Sequence, residues 1–112
     1  MTRKKSKKTI EREKLQEWKR KIFERDNGQC QICVSQGKFK KLGKHYQTHH
    51  LLPRQLKEHK FDLMNGILLC YNHHKLGIYS AHNNGLWFTE WLKKYKLKQY
   101  NYCLKIIKKV NV

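Results

Sequence analysis

At 112 residues, with 26 Lys and Arg against 8 Asp and Glu and a formal net charge of +18, the chain has room for one small domain biased toward polyanions. So short a chain buries little apolar surface, and a cross-link such as a metal site is expected to help hold it together. No stretch is apolar and long enough to cross a membrane, and the basic N-terminus lacks the apolar core of a signal peptide, so the expected location is cytoplasmic.

The charge sits at both ends. Residues 1–25 hold eleven basic and four acidic side chains, and residues 91–112 hold seven Lys and no acid. Nucleic acid is the expected partner, because phosphate neutralisation with counterion release supplies affinity without a sequence-reading module. An anionic membrane surface is the weaker second choice.

In chain order, residues 1–9 read as a basic flexible arm and residues 10–112 as a single domain with its core at about 20–82. From Ile10 a helix is expected, with Leu15, Trp18 and Ile22 on one face. Asp26-Asn27-Gly28 should stop it, since Gly28 can take the left-handed conformation favoured past helix ends. Cys30-Gln31-Ile32-Cys33 then forms a knuckle, and residues 34–48 read as a polar loop broken by Gly37 and Gly43. An extended segment, Gln47 to Leu52, is stopped by Pro53, and residues 54–64 allow one helical turn. Asn65-Gly66 marks a tight turn, Ile67-Leu68-Leu69 a short strand, and a helix should begin near Cys70. Two C-terminal helices are expected over about 84–110. The first is capped near Asn83-Asn84 and carries Trp87, Phe88, Trp91, Leu92 and Tyr95; the second carries Tyr102, Cys103, Ile106, Ile107 and Val110.

Cys30-x-x-Cys33 and Cys70-x-x-His73 are two pairs with the same gap. Together they supply the four sulfur and nitrogen donors that Zn²⁺ prefers, with no open position, so the site would be structural. Four cysteines in a reducing compartment are ligands sooner than disulfides. A redox pair or two buried thiols is the bland alternative, and spacing alone allows His74 to replace His73. Cys103, alone at an apolar helical position, reads as core.

The order of these residues carries a further signal. The string from Arg25-Asp26-Asn27-Gly28-Gln29-Cys30-Gln31-Ile32-Cys33, through His49-His50-Leu51-Leu52-Pro53-Arg54, to Asn65-Gly66-Ile67-Leu68-Leu69-Cys70-Tyr71-Asn72-His73-His74 resembles the HNH endonuclease family over roughly residues 20–82. The family's usual Asp before the catalytic His is His49 here, as in colicin-type nuclease domains, and its fourth zinc Cys is His73. Tyr79 to Phe88, with Ala81-His82 and Gly85-Leu86-Trp87-Phe88, looks more loosely like phage-encoded members.

The resemblance implies an α+β ββα-metal (His-Me finger) domain with a zinc knuckle and flanking N- and C-terminal helices. It also implies a metal-dependent DNA endonuclease in a bacterial or phage-infected cell. His50 would be the general base, since a neutral imidazole titrates near the operating pH. Asn65 would orient it by bonding backbone nearby. His49 and His74 would hold the catalytic divalent metal, with Mg²⁺ or Mn²⁺ first and Zn²⁺ or Ni²⁺ as alternatives. His82 is either a third ligand, if the chain bends at Gly77, or a surface or capping residue. Arg54 and Lys75 would contact DNA phosphates, while His45 and His59 read as surface residues. A homodimer or a phage protein partner is compatible with this. The rival readings are a non-catalytic zinc-stabilised DNA-binding module and a basic adaptor for an acidic protein, for which aromatics at 87–102 would form the interface.

Overall fold

The computed structural model describes residues 4–43 and 46–110. His45 and the first three residues of the expected arm lie outside the described residues. The first helix, α1 (Lys7–Arg25), starts three residues before Ile10, because Ser6 caps it: its Oγ accepts from the Thr9 amide at 3.2 Å. The arm read over residues 1–9 is thus already helical from Lys7. At the far end Asn27 and Gly28 both take positive φ, 56° and 65°, and the Gly28 amide donates back to the Phe23 carbonyl at 2.8 Å.

A five-residue helix, α2 (Gln31–Ser35), runs from the expected knuckle into the first two residues of the expected loop. Two strands, β1 (Gln47–His50) and β2 (Gly66–Leu69), pair antiparallel with Thr48 opposite Leu68 and His49 opposite Ile67. β1 ends two residues before the expected Leu52, where the Leu51 and Leu52 amides turn to the Asn65 carbonyl and side chain instead of a strand partner. Asn65-Gly66 is not a tight turn. Asn65 closes a 3₁₀ turn (Leu63–Asn65) and Gly66 opens β2, in extended conformation. Glycine is needed there for room: a Cβ at Gly66 would lie 2.2 Å from Ile22 Cδ1 and 2.4 Å from Trp18 Cζ2.

The alternation of the strands sorts side chains onto two faces. Leu68 packs with Trp18 and Ile22 of α1, whereas Ile67 and Leu69 join Cys30, Ile32, Phe88, Trp91 and Leu92 on the opposite side. The sheet therefore separates α1 from the knuckle and from α3 (Gly85–Tyr95), which Asn84 caps through the Trp87 amide. Tyr95, expected on the apolar stripe, is largely exposed beside the packed Phe88, Trp91 and Leu92.

The last helix, α4 (Leu97–Lys109), buries Cys103 and Gln99. Ile107 stays exposed, and so does Val110, which lies past the helix end. Gln99 anchors this helix, its amide donating to the Met64 and Gly66 carbonyls. The free edge of β2 is closed by side chains. Buried Asp26 accepts from the Leu68 amide at 2.9 Å, and Arg25, paired with Asp26, donates to the Gly66 carbonyl at 2.7 Å. The segment after β2, expected as a helix from Cys70, is a single π-helical turn (Asn72–Leu76) that ends at Gly77. The chain then doubles back, so that the Ala81 and His82 amides donate to the His73 and His74 carbonyls at 2.8 and 3.0 Å. Among the described residues no helix is long and apolar enough to cross a membrane.

Candidate metal centres and the cleft between strand and turn

The end of α1, the start of α2 and the turn after β2 bring Cys30, Cys33, Cys70 and His73 together, with one ligand atom of each within 4.8 Å of all the others. The Nδ1 atom of His73 lies 3.5, 3.4 and 3.3 Å from the sulfurs of Cys30, Cys33 and Cys70, and Cys33 and Cys70 are 4.0 Å apart. A zinc tetrahedron with Zn–S of ~2.3 Å and Zn–N of ~2.05 Å has sulfur–nitrogen edges of ~3.5 Å and sulfur–sulfur edges of ~3.8 Å. The three sulfur–nitrogen distances and the Cys33–Cys70 distance match that figure. His73, not His74, completes the set, which can hold a structural metal such as zinc. Burial, followed by the neighbouring sulfurs, pushes the Cys33 thiol up to about 12, and burial raises Cys30 as well. Thiols packed this closely resist ionising together unless a cation offsets their charge, which is the electrostatic demand a bound metal meets. Cys103 stands apart in the core, where burial pushes its thiol up to about 11.

The adjacent His74 faces a second group. Its Nε2 lies 3.1 Å from His49 Nδ1 and 3.0 Å from His82 Nε2. Neighbouring ligands at ~2.1 Å and right angles on one metal sit ~3.0 Å apart. The doubling back at Gly77 is what delivers His82, as the third-ligand reading required. A Cβ at Gly77 would fall 2.8 Å from Asn72 Oδ1 and 3.1 Å from the Asn72 carbonyl oxygen, so a larger residue at this bend would crowd the Asn72 side chain. Burial, then His74 and His82, lowers His49 to about 3; burial, then His82, lowers His74 to about 4. Both rings are neutral at ordinary pH, the form that offers a lone pair. The sequence reading missed Gln47, whose Oε1 accepts from His74 Nδ1 and so leaves Nε2 as the lone-pair nitrogen. Its signal was available: Gln47 lies two residues before His49, on the same face of β1.

His50 points to the other face of the sheet. Its ring stacks on Trp18 at 4.1 Å between centroids and 13° between planes, and Nε2 donates to the Lys60 carbonyl at 2.9 Å. That bond leaves Nδ1 as the basic nitrogen, and burial lowers the ring's pKa. Asn65, fully buried, fixes the surrounding chain at two points: Oδ1 accepts from the Leu52 amide at 2.6 Å, and Nδ2 donates to the His59 carbonyl at 2.9 Å. These anchors lie just after His50 and just before Lys60, so Asn65 holds the loop that supplies the carbonyl to His50. His59, read as a surface residue, is half-buried and pairs with Asp62 at 3.0 Å. That Trp18 and Lys60 contact His50 had no local sequence signal, because both reach it through tertiary packing.

His49, His50, His74 and His82 line one open cleft of about 470 Å³, together with Thr48, Arg54 and Lys75. No family model matches this chain, and no curated protein or solved structure is significantly similar to it.

Proposed function

We propose that the chain is a metal-dependent DNA endonuclease of the ββα-metal kind. The observation that carries this reading is that a three-imidazole donor set and His50, whose ring is oriented by the Lys60 carbonyl, line one cleft together with Arg54 and Lys75. His50 Nδ1 takes the proton of the attacking water as its oxygen bonds to phosphorus and the bond to the 3′ oxygen breaks. His49, His74 and His82 would hold a divalent ion, whose charge offsets that developing on the phosphate and the departing oxygen. Gln47 keeps the His74 lone pair turned inward, and Asn65 keeps the His50 loop in place. Arg54, Lys75 and the basic termini would hold the phosphate backbone.

The donor set contains no carboxylate, which favours Mn²⁺, Zn²⁺ or Ni²⁺ over Mg²⁺, an ion that prefers oxygen ligands. Supercoiled-plasmid nicking by the zinc-loaded chain with each ion added, beside His50→Ala, tests the proposal. Metal-dependent nicking by the wild type, lowered about 10²- to 10⁴-fold in the variant, is the expected result. DNA binding without nicking under every ion would instead make the chain a zinc-stabilised binding module.

A further inference from the structure

Of the aromatic pair Tyr79 and Trp87, Trp87 packs against the edge of the core and Tyr79 stands outside it, and the proposed reaction uses neither. Phe88 is buried, but Trp87 is only partly covered and Tyr79 is 59 % exposed, their rings 5.5 Å apart and tilted by 56°. Between them and the turn after β2 lies an open pocket of about 450 Å³, whose lining includes the exposed amides Gln36 and Asn72 and one edge of His73. His73 and His74 are consecutive, so this pocket begins one residue from the imidazole group that lines the cleft. No acidic residue lines it, and the whole chain carries +18.

Aromatic faces stack bases of any identity, and side-chain amides can meet a base edge with both donor and acceptor. A paired base in duplex DNA has its faces covered by its neighbours. An unpaired one does not. We infer that this pocket receives an unpaired nucleobase, making DNA with single-stranded character (a gap, a flap or a melted step) the preferred substrate of the proposed nuclease. The inference rests on the nuclease reading and deepens it.

The test uses the full zinc-loaded chain in the His50→Ala background, so that the probes stay intact. Anisotropy compares a single-stranded thymidine oligonucleotide with a blunt duplex, and a gapped duplex carries 2-aminopurine opposite the gap. Tyr79→Ala removes an exposed ring and leaves the packed Trp87 in place. Base–aromatic stacking contributes about 1–3 kcal/mol per base, so the single-strand to duplex affinity ratio should fall about 5- to 100-fold in Tyr79→Ala. The 2-aminopurine quenching seen with the parent should disappear. An unchanged ratio overturns the inference and leaves the nuclease reading standing; failure of the parent to bind any DNA overturns both. A concentration-dependent dimer lost in Tyr79→Ala, with DNA binding unaltered, would assign the patch to a second copy of the chain and also overturn the inference.

Discussion

His73 and His74 are neighbours in the chain yet belong to two donor groups of opposite character. His73 joins three sulfurs in a set with no open corner, built from segments that are far apart in sequence. His74 joins two imidazoles in a set without sulfur, whose third member, His82, is exposed on an open cleft. A closed set of thiolates suits an ion that holds the chain together; an open set of imidazoles suits one that meets a ligand. One π-helical turn carries both, so a metal held by the first group would also fix the position of the group facing the cleft.

The contrast is broken most severely through the sulfurs. Apparent zinc affinities of such sites amount to roughly 10 kcal/mol or more, comparable to the whole stability of a domain. Cys33→Ser, or removal of metal with a strong chelator, should abolish cooperative melting in circular dichroism and the bound zinc in metal analysis. Melting within a few degrees of wild type would reduce the cluster to buried thiols. The His50→Ala change proposed above stands next, acting on nicking while zinc content stays constant. Gln47→Ala sharpens the comparison further. Losing the partner of a ligating imidazole typically costs about 10- to 100-fold in metal affinity, so the second ion should bind that much more weakly by competition titration while the cysteine-bound metal is retained. Equal loss at both sites would mean that they are not separable.

The smallest effect is acid sensitivity from the imidazole group. His49 and His74, lowered to about 3 and about 4 in the fold, return to ~6.5 when the chain unfolds. Below ~6.5 the unfolded chain binds more protons than the folded one, so the stability these residues contribute is complete above that pH and declines as pH falls toward 4. Urea midpoints should be flat above pH 7 and decrease between pH 6.5 and 5, with a shallower decrease in His49→Gln. Parallel slopes for variant and wild type would remove His49 from this account.

The two groups were not equally legible in the sequence. Cys30, Cys33 and Cys70 announce themselves by repeated gaps, but the choice between His73 and His74 depends on the π-helical turn, which no spacing reveals. Trp18 and Ile22 follow helical periodicity; that they press on Gly66, and that Trp18 also underlies His50, comes from the packing of α1 across the sheet. Asn65 stood out as a residue near a turn, whereas its two backbone anchors lie on a loop of mixed composition whose path is set by Asp62, His59 and Tyr102. Helix starts were missed where a single hydroxyl, that of Ser6, decides them.

The Asp26 carboxylate closing β2 has a consequence for life at high concentration. An uncovered strand edge is a template on which another chain can add, and a two-stranded sheet with an apolar second strand would be an inviting one. Here the Leu68 amide and the Gly66 carbonyl are already occupied by Asp26, Arg25 and Gln99. At high concentration, copies can therefore crowd together without that edge recruiting a neighbour into a growing ribbon.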